Sequence, residues 1–507
     1  MSETKQIIQG RWVLLDAETV ISDGAIVIAG GLIEEVGNWR SIQEKYPGLP
    51  VLGSDKHAIL PGLVNAHHHS NGITALQQGI PDQLLELWLL SLAKRRRIGP
   101  YLSTLLSAAR LLRTGVTAVV DVHSGRGSPE EFESGIQEAL RAYNEAGLRV
   151  AYAVGMTEQS FLAWGEDDAF LASLPDDVRR IAKQRLPDEE TMTPDDYLAI
   201  VDDLWRQYQP HPRISIWFGP PGPQWVSDDF LIRIANQAEA YETGIQTHLL
   251  ESVYEKHHGP RSYGQPTLLH LRDLGVLSSR FSFAHGVWLT EREIEVLAKS
   301  GAHVSHNPSS NLRLRAGIAP LNAMLAAGVN VGLGMDGTTL NDDEDMLAEM
   351  RLALNLHRTP HLEGPMPSVL DIWELATSGG AKLFQAETQL GRLAPSYAAD
   401  IVLIRLGRIT WPWVAPEADP RLLLLTRSKA SDVDTVLVNG EVVLQDGKPT
   451  RFDLIAAGEA LKEALEVSSV PEASIDMVER LSPYLEAHYN NWPFQTLDPY
   501  TEYNSRR

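Results

Sequence analysis

Five side chains that bind metals or move protons each stand at the end of an apolar, strand-like run: His67, His69, His248, His285 and Asp336. In an extended backbone successive side chains face opposite ways, so His67 and His69 project together while His68 points away. Two imidazoles on one face are half a metal site. The run before them, Ile59-Leu60-Pro61-Gly62-Leu63-Val64, has the continuous apolar character of a parallel strand buried on both faces. Three imidazoles and one carboxylate make a ligand set suited to Zn²⁺, with Fe²⁺ as the alternative, and a water completes the shell. Such a metal lowers the pKa of its water to roughly 7. Glu251 follows His248 by three residues, which places an ionisable carboxylate just past a strand end. Asp336 lies in Gly332-Leu333-Gly334-Met335-Asp336-Gly337, where glycines let backbone and ligand approach closely. Any one of these residues alone reads as well as a hydrogen-bonded core or loop residue. Their recurrence at strand ends points to a shared site.

Residues so far apart in sequence meet only if the strands that carry them end on one face. From Leu63 the chain offers eight strand candidates, each followed by a helix-like stretch, ending with Val329 to Gly334 and a helix over 345–357. A closed parallel (β/α)₈ barrel is the economical α/β reading, and an open doubly wound sheet is the alternative. In a barrel all strand C-termini open on the same side, where active sites sit. Both ends of the chain read instead as β-hairpins, one containing the turn Asn439-Gly440. The expected organisation is a small β-sandwich from residues 1–60 and 391–452, a barrel over 61–390, and a helical, aromatic tail over 453–507. The acid-rich stretch from Thr157 to Thr193 breaks the alternation and is expected as a lid loop over the active face. The tail from His488 to Tyr503 is expected to pack on the body or on a second subunit, and a homo-oligomer, taken as a dimer, is expected.

Composition narrows the function classes. A net charge of −22 over 507 residues argues against a nucleic-acid partner, because polyanion binding rests on clustered Lys and Arg. The one basic run, Lys94-Arg95-Arg96-Arg97, reads as a solvated helix face. With no cysteine, thiolate ligands, cysteine nucleophiles and disulfides are excluded together. No apolar run reaches membrane-spanning length and no leader is evident, so a cytoplasmic enzyme acting on a small molecule is expected, without a membrane partner.

The motifs together resemble the amidohydrolase superfamily, in the branch of cytosine deaminase-like and triazine hydrolase-like enzymes. The resemblance rests on Pro61 to His69, His248 to Glu251, Ala284-His285-Gly286, His306-Asn307-Pro308-Ser309-Ser310-Asn311, Met335-Asp336-Gly337, Gly391-Arg392-Leu393 and Ala399 to Leu403. It implies a terminal β-sandwich and one divalent metal held by His67, His69, His248 and Asp336. It also implies catalytic roles for Glu251, His285 and Asp336. Binuclear relatives carry a carboxylated lysine at the end of the fourth strand, whereas this chain has Trp217-Phe218-Gly219-Pro220, which favours a single metal. Relatives often carry Arg-Gly about ten residues after the histidine pair; Gln78-Gly79 stands here, which favours a neutral substrate. Gln78, Trp88 and Asn311 are the expected substrate contacts. The resemblance thus implies a hydrolase that attacks a C–N bond with metal-activated hydroxide, an aminohydrolase of a small neutral N-heterocycle such as a purine, pterin or triazine. Hydrolysis of a urea-type or carbamate-type C–N bond and chloride displacement on the same scaffold are the alternatives, with an inert metal-binding scaffold more remote.

Overall fold

The computed structural model describes residues 5–125, 127–188 and 191–493. The apolar runs counted from Leu63 form eight parallel strands: β1 (Leu63–His68), β2 (Val116–Ser124), β3 (Arg149–Gly155), β4 (Ile214–Phe218), β5 (Ile245–Leu249), β6 (Phe281–His285), β7 (His303–His306) and β8 (Asn330–Leu333). They pair in sequence order. The ring closes where the Asp336 N–H donates to the His67 carbonyl at 2.9 Å and the His69 N–H donates to the Asp336 carbonyl at 3.2 Å. The closed barrel, not the open sheet, is what forms.

Period-two alternation explains why these runs serve a barrel. Val64, Ala66, Ala118, Val120, Val122, Ala151, Ala153 and Trp217 join one cluster with Phe384. Their strand neighbours Val119, Val150, Val154, Ile216 and Phe218 join the large core shared with the surrounding helices. The first four strands therefore feed two apolar layers, as their continuous hydrophobic runs required. The helices start where their sequences provide caps. Ser128 accepts from the Glu131 N–H ahead of Pro129–Ala146, and Thr193 and Asp196 form a capping box ahead of Pro194–Tyr208. Gly147, at φ 77°, ends the first of these in the left-handed conformation that glycine adopts without a Cβ penalty.

Strands from both termini build a second, mixed sheet of eight. Its order runs from Lys448–Pro449 through Glu441–Gln445, Val433–Val438, Ile401–Arg405, Val51–Pro61, Gln6–Leu14 and Val20–Ala29 to Leu32–Asn38. Ile8, Ile26, Ile33, Leu403 and Leu437 share one apolar cluster, so the two halves of the sheet face a common core. The Ala399 N–H donates to the Gly31 carbonyl at 2.8 Å, tying the amino-terminal hairpin to the carboxy-terminal half.

The stretch from Thr157 is more ordered than a lid loop. It contains the helices Asp167–Ser173 and Asp176–Ala182. Its acidic composition, which reads as solvent-loving loop, places Asp167, Asp168, Asp176 and Asp177 in first helical turns, where they complement the helix dipole. Leu162, Trp164, Phe170, Leu174 and Val178 pack against Met477, Leu481, Leu485 and Tyr489 of the long helix Glu472–Asn490 in a separate apolar cluster. The described part of the aromatic tail thus lies on the body of its own chain; residues beyond 493 lie outside the described residues. Among the described residues no helix is long and apolar enough to cross a membrane.

Candidate metal centre and active site

The strand ends bring the expected residues together. His69 Nε2 lies 3.3 Å from His248 Nε2 and 3.3 Å from Asp336 Oδ1, and His67 Nε2 lies 3.6 Å from the same carboxylate oxygen. Ligand atoms of His67, His69 and His248, and of His67, His285 and Asp336, lie within 4.8 Å of one another in two overlapping groups. His68 turns away, with Nε2 at 2.8 Å from Ser107 Oγ, as alternation requires.

Each imidazole is oriented through Nδ1. That nitrogen donates to Gln246 Oε1 from His67 (2.9 Å), to the Val122 carbonyl from His69 (2.7 Å), to the Pro221 carbonyl from His248 (2.6 Å) and to Asn311 Oδ1 from His285 (2.8 Å). All four Nε2 lone pairs are left for the shared space. Nε2 of His67 and of His285 is buried with no hydrogen-bond partner among the described residues. Unpaired buried acceptors facing one another are costly, and a cation resolves them. Burial, and then the neighbouring histidines, push the His248 imidazole down to about 3 and His67 well below its usual range, so both stay neutral and able to coordinate. Burial pushes the Asp336 carboxyl up, but His69 and His67 outweigh it and hold the group below the usual carboxylate range. Ser310 Oγ donates to Asp336 Oδ2 at 2.5 Å. The donor set and its fixed tautomers fit a divalent metal.

The backbone is held out of its relaxed conformations here. Asp336, His285 and Leu250 have φ of 56°, 75° and 51°, in the left-handed region that non-glycine residues rarely occupy. Such residues cost about 1–3 kcal/mol each and persist where the surroundings over-determine them. At Leu250 the clamp is Glu255, whose carboxylate accepts the Leu250 N–H at 2.6 Å and the Glu251 N–H at 2.7 Å. Glu251 Oε2 then lies 3.4 Å from His285 Nε2. Burial, reinforced by Asp336, raises the Glu251 carboxyl well above its usual value, whereas burial lowers His285. Glu251 carries a proton under conditions that leave Asp336 ionised.

A cavity of about 1300 Å³ opens over these groups. Gln78 and Trp88 line it. Asn311 does not; it is buried behind His285 as that ring's hydrogen-bond acceptor. Arginines reach the cavity from elsewhere in the chain. Gln78 accepts the Arg96 backbone N–H at 2.8 Å, and Arg95, Arg96 and Arg97 of the basic run all line the cavity, Arg95 partly buried and the other two exposed. The helix Leu85–Ser91 and the turn Leu92–Lys94 end just before Arg95, whose backbone is extended, so the run is not one helix face. Gln246 was not among the expected residues, although it shares a strand face with His248 two positions on. Its Nε2 donates to the Ala66 carbonyl at 2.8 Å, which fixes the oxygen toward His67.

Comparison with known proteins agrees with this geometry. The model of the amidohydrolase family matches residues 58–443. The chain is 30% identical over 461 residues to 5-methylthioadenosine/S-adenosylhomocysteine deaminase 1 of Syntrophus aciditrophicus, covering 89% of this chain and 95% of that protein. Its fold superposes on an adenosine deaminase from Xanthomonas campestris with bound zinc, with a TM-score of 0.78, 25% identity, and 91% and 98% of the two chains covered. Atrazine chlorohydrolase from Arthrobacter aurescens, complexed with zinc, gives a TM-score of 0.77 at 25% identity, with 91% and 100% covered. The fold, the converging donors and a family match that spans the whole barrel lead to one assignment: the chain belongs to the amidohydrolase family.

Proposed function

We propose that this protein is an aminohydrolase that replaces the exocyclic amino group of an adenine-type nucleoside by a carbonyl oxygen, consuming one water and releasing ammonia. The observation that carries it is Glu251, buried with its carboxyl raised well above the usual range, 3.4 Å from His285 and beside the His67, His69, His248 and Asp336 cluster. One divalent ion, zinc with iron as the alternative, would be held by His67, His69, His248 and Asp336. The end of β4 at Phe218, followed by Gly219 with no lysine, supports a single ion. When bound, the ion lowers the pKa of a coordinated water to roughly 7 and so supplies the nucleophile.

The chain's own groups do the rest. Asp336, ionised and steadied by Ser310, accepts the proton released as water becomes the nucleophile. Glu251 donates to the nitrogen that must leave, and its partner His285, neutral and unpaired at Nε2, shares that proton. Asn311 and Gln246 position His285 and His67 and touch no reacting atom. The nucleoside class is supported by the relative named above, which deaminates 5-methylthioadenosine and S-adenosylhomocysteine by its name, and by a cavity larger than a nucleobase needs. Chloride displacement from a triazine is the second reading, favoured by the structural likeness to the chlorohydrolase.

The test incubates zinc-loaded protein with 5′-methylthioadenosine, S-adenosylhomocysteine and a chlorotriazine, and reads ammonia against chloride while metal analysis counts ions per chain. Ammonia from a nucleoside with one ion per chain is expected. Chloride alone would replace this reading by the second, and two ions per chain would remove the single-metal site.

A further inference from the structure

Arg95 is out of place for a chain with so many acidic residues. Its side chain is largely buried in the wall of the cavity that also contains His69, Glu251 and Asp336. Among the described residues no carboxylate pairs with it, and its one hydrogen bond is a long contact of 3.4 Å from Nη1 to Asn71 Oδ1. The neighbouring arginines differ. Arg96 Nη1 donates to the Ser468 and Leu465 carbonyls at 2.7 and 3.1 Å, and Arg110 pairs with Glu344 at 3.1 Å. A guanidinium is removed from water only at a cost unless an opposite charge meets it. Burial pushes Arg95 below its usual range, the direction an unpaired buried cation takes.

The position of the group is fixed. Asn71 Nδ2 donates to the His69 carbonyl at 3.2 Å, so one side chain separates the Arg95 contact from the backbone of the metal-site strand. One acid that lines the same cavity, Glu86, is engaged: its Oε1 accepts from Trp164 Nε1 at 2.9 Å and from Ser252 Oγ.

We propose that Arg95 binds a carboxylate on the far end of the substrate from the reacting ring. A planar guanidinium matches a carboxylate in a two-pronged hydrogen bond. One guanidinium suits a monoanion; Arg96 and Arg97, which line the same cavity, are exposed to solvent, and the Arg96 guanidinium is already held by helix-end carbonyls. This deepens the aminohydrolase reading and rests on it: the ring stays neutral, and its substituent carries the charge. Among adenine nucleosides, one bearing an amino-acid side arm is then preferred over one bearing a short neutral thioether.

The experiment measures kcat/KM and calorimetric Kd for S-adenosylhomocysteine, which has a carboxylate, and 5′-methylthioadenosine, which has none, on zinc-loaded wild type, Arg95→Met and Arg95→Lys. A charge-assisted hydrogen bond contributes about 1.5–3 kcal/mol, so the wild-type preference for the carboxylate compound falls by about 10–100-fold in Arg95→Met. Arg95→Lys recovers part of it by retaining the charge. An unchanged preference in a folded Arg95→Met, or a wild type that binds both compounds equally, overturns the proposal. Failure of the parent reading looks different: wild type would release no ammonia from either compound, and the Kd ratio would still decide the carboxylate site.

Discussion

The floor and the roof of the cavity are built in opposite ways. On the floor, each of these side chains sits at or just past a strand end and is held by a partner close by in space: His67 by Gln246, His69 by the Val122 carbonyl, Asp336 by Ser310. The roof has no such local logic. Segments more than three hundred residues apart, around Trp164 and Tyr489, meet in an apolar cluster, and the Tyr489 hydroxyl accepts the Trp164 N–H at 3.2 Å. Chemistry is fixed by strands and hydrogen bonds; access and size are set by oily packing between remote pieces. Glu86 joins the two, accepting from Trp164 in the roof and from Ser252 beside Glu251.

If that division holds, damage to the floor removes turnover and damage to the roof changes substrate use. The largest effect is expected from chelation: activity falls to background and returns on adding Zn²⁺, and activity that survived complete metal removal would break the comparison at its base. Glu251→Gln is expected to retain metal while kcat drops by about 10²–10⁴-fold, the usual contribution of a proton-transfer residue; metal analysis beside steady-state kinetics separates the two. Gln246→Ala leaves every donor in place but frees the His67 ring, and a 10–100-fold loss of zinc affinity is expected, read by competition with a chromophoric chelator. On the roof, Leu481→Ala removes a buried side chain at a cost of about 2–5 kcal/mol to its cluster. There KM should rise while kcat stays within a few-fold, and limited proteolysis should cut sooner near the helices of the insertion. The smallest effect is a pH limb. The Glu251 carboxyl is raised above its usual value, so its donating form prevails below the raised pKa and is lost as pH climbs through it. kcat/KM should fall on that alkaline side, and the limb should vanish in Glu251→Gln.

The same division explains what the sequence told. His67, His69, His248, His285 and Asp336 were legible because a parallel barrel gathers strand ends, and an apolar run that stops at a polar residue marks such an end. The eight strands were legible for the same reason. Gln246 could have been found by stepping back two residues along β5 from His248. Asn311 was misplaced because its motif names a neighbourhood and not a direction: the residue faces the back of His285. Arg95 was hidden by its company, since four consecutive cations look solvated until the chain turns one of them inward. The roof was the least legible part. Its apolar residues are interleaved with Asp167, Asp168, Asp176 and Asp177, and only the distant helix Glu472–Asn490 reveals what they cover.

The seam of the barrel lies at the metal site. β1 and β8 are joined by hydrogen bonds between His67, His69 and Asp336 themselves, so the last ligand to be synthesised is also the residue that closes the ring. A chain emerging from the ribosome exposes His67 and His69 long before Asp336 exists, and until then two imidazoles make only a weak, open chelate. A chain truncated before the eighth strand would have neither the closing bonds nor the carboxylate. A metal bound there would act as the clasp of a bracelet, and its removal should loosen the first and last strands before any others.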